Sequence, residues 1–405
     1  MYNEKNAKEF FMEKQIRIGI IGCGKRGRSM FRCVLQKRKD VKVVMLCDTY
    51  EPFMDKVMGW LKEDGVDEGV LTTTDYNEAL NCKELDCVYI ACSWEKHGEV
   101  AIAALKKGIP VACEVGGAYS LDECFELVKA YEETKTPLMF MENCYYNKIE
   151  MTLFNMHKDG LFGDVVYCSG AYGHDLREEV TTGIEKHHYR EENYLTRNCE
   201  NYPTHELGPI ARILNINKGN RFTSLVSMSS AAKGIYQYIK DGKHHDKEIE
   251  GKTVAQGDVF LTMITCEDGS LVQLKLDTTL PRSYSRELHV AGTKGRYTQL
   301  YDEVFLDGYD ELNKGKSLSD EEFLKYVPEE WSPENEARIK ELGHGGMDWL
   351  VFDDFFKHLR SGEPMPIDVY DMAVLMAVTP LSEMSLKEGR VVEYPDFTNG
   401  KYKKN

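Results

Sequence analysis

Ile16-Arg17-Ile18-Gly19-Ile20-Ile21-Gly22-Cys23-Gly24-Lys25-Arg26-Gly27 is the stretch that decides the fold of this 405-residue chain. An apolar run ends on Gly-x-Gly-x-x-Gly, and the residues beyond it carry a helical pattern as far as Leu35. The first glycine permits a tight turn, the second lets a pyrophosphate approach the backbone, and the third lets helix and strand pack closely. The helix N-terminus adds partial positive charge for phosphate oxygens. Glycine spacing alone is weak; a strand before it and a helix after it make it specific. A second apolar run, Val41–Cys47, leads into Asp48, about 20 residues past the third glycine. A carboxylate there bonds ribose hydroxyls and repels a 2′-phosphate, so the expected cofactor is NAD rather than NADP.

Working outward, residues 87–92 and Val111–Cys113 are further apolar runs with helical stretches between them. Val100, Ile102, Ala103 and Leu105 mark one apolar helix face, closed by Lys106, Lys107 and Gly108. Ser120 with Glu123 reads as a capping box ahead of Phe125, Leu127, Val128 and Tyr131. Strands apolar throughout, alternating with amphipathic helices, imply a parallel sheet covered on both faces. The spacing predicts a doubly wound Rossmann domain over residues 15–141, behind a polar tail at 1–14.

From residue 142 to 405 the pattern changes. Two strand-like runs, 259–265 and 271–277, flank Asp268-Gly269, a hairpin signal, and runs at 288–291, 297–300 and 304–306 follow. The expectation is a substrate domain of α+β class with an open antiparallel sheet. Helices are expected at 148–158, at 205–215, after Asp348, and from Asp368 to Glu388 with a kink at Pro380.

Composition narrows the partners. Lys plus Arg total 51 against 67 for Asp plus Glu, a formal net charge of −16. That charge repels phosphate backbones and anionic lipid, which leaves a small carbohydrate a better partner than nucleic acid or membrane. No apolar window is long enough for a membrane span, and the N-terminus is too polar for a secretory signal. Twelve cysteines without a Cys-x-x-Cys pair read as free thiols in a reducing compartment, hence a cytoplasmic protein.

The strand ends carry the candidate chemistry. Trp94 and His97, then Glu114-Val115, then Asn143 after Glu142, follow three successive strands of the first domain. The carboxyl ends of an open parallel sheet form its ligand crevice, so together they suggest a long cofactor laid across it. Trp94 reads either as a flank for the nicotinamide or as a half-buried loop residue. Further on stand Tyr172, Arg190, Tyr202-Pro203-Thr204-His205, Tyr284 and Gly343-His344-Gly345-Gly346-Met347-Asp348. His205 opens a helix; an imidazole suits proton transfer near neutral pH, although a histidine in such a place is more often structural. The glycine-rich run reads equally as a turn with Asp348 capping the next helix. His187-His188 and His244-His245 are adjacent pairs rather than i, i+4 pairs, so no metal site is expected.

These residues carry a family resemblance over nearly the whole chain after residue 15. The Rossmann domain, the acid after its second strand, Glu114-Val115 and the open-sheet domain resemble the glucose–fructose oxidoreductase, inositol dehydrogenase and MocA superfamily. Dehydrogenases there carry Glu-Lys-Pro where this chain has Glu114-Val115-Gly116, and an aspartate where it has Asn201. Both departures, with Trp94 to His97, Glu142-Asn143, Tyr172 ahead of His174-Asp175-Leu176-Arg177, Tyr202 to His205 and Gly343 to Asp348, are similar to glycoside hydrolase family 109, NAD-dependent α-N-acetylgalactosaminidases. Tyr189-Arg190 replaces that family's Trp-Arg.

The resemblance implies that Asp48, Trp94, His97, Glu114, Val115, Asn143 and Tyr202 hold NAD alongside Gly22, Gly24, Arg26 and Gly27. It implies a sugar site lined by Tyr172, Arg190, Tyr202, Pro203, Thr204, His205 and Tyr284. The activity implied is glycoside hydrolysis by transient C3 oxidation and C1–C2 elimination on an α-N-acetylgalactosaminide or a related glycoside, with His205 and Tyr172 sharing proton transfer. The alternatives are an NAD-dependent sugar or inositol dehydrogenase, and an NAD-loaded binding module without turnover. A homo-oligomer paired through the open sheet is expected.

Overall fold

The computed structural model describes residues 15–308 and 314–403, so the expected polar tail lies outside the described residues. The chain divides into two compact units. The first comprises the chain up to Val115, Asp122–Asn143 and Pro333–Ala373; the second comprises Gly116–Leu121, Cys144–Ser332 and the chain from Val374. A single boundary at residue 141 was the sequence expectation, whereas these units interleave.

The first unit holds six parallel strands: β1 (Ile16–Ile21), β2 (Val41–Cys47), β3 (Leu71–Thr73), β4 (Cys87–Ile90), β5 (Val111–Cys113) and β6 (Leu138–Phe140), in the order β3-β2-β1-β4-β5-β6. Strand order reverses beside β1, so a crevice opens at the carboxyl ends of β1 and β4, the switch point at which such sheets bind ligands. Ile18, Ile20, Val88 and Ile90 are wholly buried, as expected of strands covered on both faces. Part of that cover comes from late in the chain. Helix Met347–Ser361 buries Phe352, Phe355 and Phe356, and the Phe352 ring meets Tyr89 of β4 at 5.1 Å. The Phe140 N–H donates to the Ile367 carbonyl at 2.9 Å. This apolar helix face is what recruits residues 333–373 to the parallel sheet. Phe125, expected on an apolar helix face, is instead 44% exposed.

The second unit is built on an eight-stranded sheet: β7 (Val165–Gly173), β8 (Phe222–Ser229), β9 (Val259–Cys266), β10 (Leu271–Asp277), β11 (His289–Gly292), β12 (Gly295–Thr298), β13 (Glu303–Leu306) and β14 (Val392–Glu393), in the order β13-β12-β11-β7-β10-β9-β8-β14. The expected hairpin is β9–β10, turning at Gly269 with φ +88. The sheet is antiparallel except at its centre, where β7 pairs in parallel with β10. One face is covered by helices Thr204–Ile213 and Val378–Glu388. The first lies so close to β7 that a Cβ on Gly170 would sit 2.8 Å from Glu206 Cβ. Met228, Leu261 and Val166 stand exposed on the strands.

The kinked helix expected over 368–388 is two helices, Val369–Met376 and Val378–Glu388. Pro380 lies in the first turn of the second, where its missing N–H costs nothing. Its ring displaces the carbonyl four residues back; the Met376 carbonyl accepts instead from the Ala118 N–H at 3.1 Å. All twelve cysteines are free thiols. Among the described residues no helix is long and apolar enough to cross a membrane.

Candidate active site

The glycine turn of the first unit has the geometry that a dinucleotide requires. Gly22 has φ +100, and a Cβ there would lie 2.3 Å from the Ala91 and Cys92 backbone. A Cβ on Gly27 would lie 1.9 Å from the Gly22 carbonyl oxygen, so close helix–strand packing demands glycine. Gly24 is the contrary case: a Cβ there would meet nothing within 4 Å, which leaves the middle of the turn open to a ligand. Helix Lys25–Cys33 starts directly after it with no acidic residue in its first turn to compete for an anion. Asp48 follows β2 and accepts from the Cys23 N–H at 2.6 Å and the Tyr50 N–H at 2.9 Å.

The other strand ends place the remaining candidates of this unit. Trp94 opens helix Trp94–Lys106 and is buried rather than half-buried, so the loop reading fails. His97 is buried beside it, its Nε2 3.0 Å from the Cys92 carbonyl. Burial lowers its pKa to about 4, which keeps the ring neutral and tied to backbone carbonyl. Val115 and Asn143 are also buried. Glu114, after β5, accepts from Arg26 Nε at 2.9 Å and from the Tyr89 hydroxyl at 2.7 Å.

Arg26 spans two carboxylates. Its Nη1 and Nη2 donate to Asp348 at 3.1 and 2.8 Å, and Asn143 Nδ2 donates to the same carboxylate at 2.8 Å. Burial opposes ionisation of Asp348, yet the Arg26 charge and the His344 hydrogen bond hold its carboxyl far below the usual carboxylate range. Asp348 is therefore no helix cap. Gly346 occupies the cap position of helix Met347–Ser361, and the Asp348 side chain turns inward. Sequence reading missed this role because Arg26 and Asp348 lie 322 residues apart. Tyr89 had a local signal: a tyrosine inside a fully buried strand needs a hydroxyl partner.

The second unit gathers the sugar-site candidates around Tyr172, at the end of β7. Its ring lies 4.5 Å from Tyr202, 5.8 Å from His205 and 6.2 Å from Tyr284, centroid to centroid. Two phenol–imidazole hydrogen bonds run through the cluster: Tyr172 hydroxyl to His174 Nδ1 at 3.0 Å, and Tyr202 hydroxyl to His205 Nε2 at 3.1 Å. Burial raises the Tyr172 phenol above its ordinary value, so it stays protonated at neutral pH. His205 lies in the first turn of helix Thr204–Ile213, behind the Pro203 cap position. The Thr204 hydroxyl oxygen is buried and has no hydrogen-bond partner among the described residues.

Arg190 is held from two sides. Its Nη1 donates to Glu179 at 2.6 Å, and its guanidinium lies 5.4 Å from the centre of the Tyr202 ring. Burial disfavours that charge, but Glu179 together with the neighbouring tyrosines outweighs the penalty and raises the Arg190 pKa. Tyr189 stacks on His188 at 4.6 Å and 26°. The segment before Tyr202 is anchored through Glu200: Ser382 Oγ accepts from its N–H at 2.8 Å and Thr379 Oγ1 donates to its carbonyl at 2.7 Å. Burial pushes the Glu200 carboxyl up to about 8. Glu179 was not singled out from sequence, since only the fold brings it to Arg190; His174, quoted for the family resemblance, lies two residues from Tyr172 and had no role of its own assigned.

Comparison with known proteins places this arrangement. Residues 146–404 match the family described as Glycosyl hydrolase 109, C-terminal domain. The chain belongs to glycosyl hydrolase family 109. Residues 16–141 of this family 109 chain match the Oxidoreductase family, NAD-binding Rossmann fold. Its first unit is an NAD-binding Rossmann domain, and the closed–open–closed glycine geometry fits that cofactor. The α-N-acetylgalactosaminidase of Tannerella forsythia is 35% identical over 96% of this chain and 87% of its own length. A glycosyl hydrolase family 109 protein of Stenotrophomonas maltophilia is 34% identical over 96% of this chain and 90% of its own. A levoglucosan dehydrogenase solved with NADH and levoglucosan superimposes with a TM-score of 0.71 at 16% identity, over 95% of this chain and 100% of its own. That likeness shows a shared fold.

Proposed function

We propose that this family 109 chain is an NAD-dependent glycoside hydrolase for α-N-acetylgalactosaminides or closely related glycosides, acting by transient C3 oxidation and C1–C2 elimination. The observation that carries the reading is the pair of phenol–imidazole hydrogen bonds, Tyr172 with His174 and Tyr202 with His205. They stand in a chain with valine at position 115, where similar dehydrogenases carry a lysine for proton transfer.

NAD would be held in the first unit by the glycine turn, Arg26, Asp48, Trp94, His97, Glu114, Val115 and Asn143, and would supply reversible hydride exchange with a sugar carbon. The chain's own task is proton transfer and positioning. Most glycosidases flank the scissile bond with two carboxylates, and NAD-dependent families are the exception. A proton next to a ketone is acidic enough for a modest base to remove, so phenol and imidazole suffice. Tyr172 alone is a poor base because burial keeps it protonated; His174 Nδ1, 3.0 Å from its hydroxyl, gives the pair a site that can take the proton. His205 is the second proton carrier, aimed by Tyr202, whose ring Arg190 supports from its face. Pro203 and Thr204 fix the backbone there, and the exposed Tyr284 closes the aromatic wall.

The test is a chromogenic α-N-acetylgalactosaminide in deuterated water. Aglycone release, deuterium at C2 and no net NADH support the reading. Steady NADH from a free sugar, with no aglycone released from any glycoside, supports the competing NAD-dependent sugar or inositol dehydrogenase. We also propose that exposed Met228, Leu261 and Val166 pair two copies through the open sheet. Twelve free thiols favour a cytoplasmic location.

A further inference from the structure

A single carboxylate holds residues from two strand ends of the NAD-binding unit, and one of them, Arg26, reaches a third. Asp348 is wholly buried and accepts four hydrogen bonds: Arg26 Nη1 at 3.1 Å, Arg26 Nη2 at 2.8 Å, Asn143 Nδ2 at 2.8 Å and His344 Nδ1 at 2.7 Å. Arg26 sits in the glycine turn after β1 and Asn143 lies beyond β6. The third Arg26 bond, from Nε, reaches Glu114 beyond β5.

The backbone that delivers Asp348 is unusual. Gly343, His344, Gly345 and Gly346 all have positive φ, at +85, +39, +66 and +109. A Cβ on Gly343 would lie 2.5 Å from Asp348 Oδ2, so the chain curls tightly round the carboxylate. His344, the one residue of the four with a side chain, adopts the left-handed region where side chains are disfavoured, and its ring is hydrogen-bonded to Asp348.

We propose that Asp348 is a positioning residue for the dinucleotide: it fixes the guanidinium of Arg26 and the amide of Asn143 in the orientations that grip NAD, so that a segment over 300 residues beyond the glycine turn sets cofactor retention. This rests on the NAD reading of the strand ends. A bidentate arginine–carboxylate pair fixes direction as well as charge. Without the Asp348 charge, Glu114 is left as the anion opposing Arg26, and the Asn143 amide faces a neutral oxygen in place of a carboxylate.

The experiment strips wild type, Asp348→Asn and Arg26→Lys of dinucleotide and measures NAD⁺ affinity by calorimetry, with circular dichroism melting alongside. Asp348→Asn is expected to stay folded and to weaken NAD⁺ binding by about 10- to 100-fold, the range of a lost hydrogen bond to a charged group. The apparent KM for NAD⁺ rises more than kcat falls, a split that a merely structural role does not produce. The double variant is expected to bind no more weakly than the worse single variant, since both break one pair. A folded Asp348→Asn protein that binds NAD⁺ within about twofold of wild type overturns the proposal. If Asp348→Asn does not fold, Arg26→Lys carries the same expectation and the same overturning result, because lysine keeps the charge but not the fork. Wild type that binds no NAD⁺ overturns the cofactor reading itself, before any variant is compared.

Discussion

The crevice of the first unit and the aromatic cluster of the second solve opposite problems. At the crevice, charge meets charge: Arg26 lies between Glu114 and Asp348, and the one buried imidazole, His97, is kept neutral by burial. In the cluster around Tyr172, phenols meet imidazoles, and the charge of Arg190 is matched by Glu179 outside the ring contacts. Groups of fixed charge state suit holding a ligand in place. Weak acids and bases hydrogen-bonded to each other suit passing a proton. The contrast therefore divides the labour between grip and proton traffic, and each prediction below tries to break that division.

The largest effect is expected at His205. His205→Ala should lower kcat by about 10²- to 10⁴-fold, the usual range for a general acid or base, while NAD stays bound. Turnover of a chromogenic glycoside and the dinucleotide content of the purified variant check this together. Near-normal turnover removes His205 from proton transfer, and equal loss of NAD blurs the division.

Asp48 offers the converse test. Asp48→Asn should weaken NAD⁺ binding by about tenfold, as expected for a charge-assisted hydrogen bond reduced to a neutral one, and narrow the preference over NADP⁺. The kcat at saturating NAD⁺ should fall far less than the affinity. Titration of both dinucleotides decides it; an unchanged preference removes Asp48 from ribose recognition.

The smallest effect concerns pH. Glu200 has a folded pKa of about 8 against about 4.3 unfolded, so between these values the folded chain carries a proton the unfolded chain lacks. Stability from this group is present below about pH 4.3 and is lost as pH rises through 8. His97 runs the other way: with a folded value of about 4 against about 6.5 unfolded, it loses stability as pH falls from 6.5 to 4. Melting temperature followed from pH 4.5 to 8.5 should fall less between pH 4.5 and 8 in Glu200→Gln than in wild type, with the two profiles parallel above about pH 8. A parallel profile for variant and wild type would mean that Glu200 does not titrate in this window.

Legibility follows locality. Gly22, Gly24, Gly27 and Asp48 form one βαβ unit, where the meaning of each residue depends on close neighbours, so their arrangement is legible in the sequence. The β9–β10 hairpin is legible for the same reason, through Asp268-Gly269. Pro380 is readable as a helix breaker, but whether it bends one helix or separates two depends on Ala118 supplying a partner for the Met376 carbonyl. Asp348 is ambiguous in sequence because a cap and a buried ligand look alike until the side chain has a direction.

From its residue order alone, this chain determined a parallel NAD-binding sheet, a second strand-rich domain and the candidate residues of both, since turns, periods and caps act over a few residues. Tertiary structure alone decided which charges meet. Arg26 with Asp348, Arg26 with Glu114 and Arg190 with Glu179 are pairings of side chains on different elements or turns of the backbone, and electrostatic partnership depends on separation in space rather than along the chain.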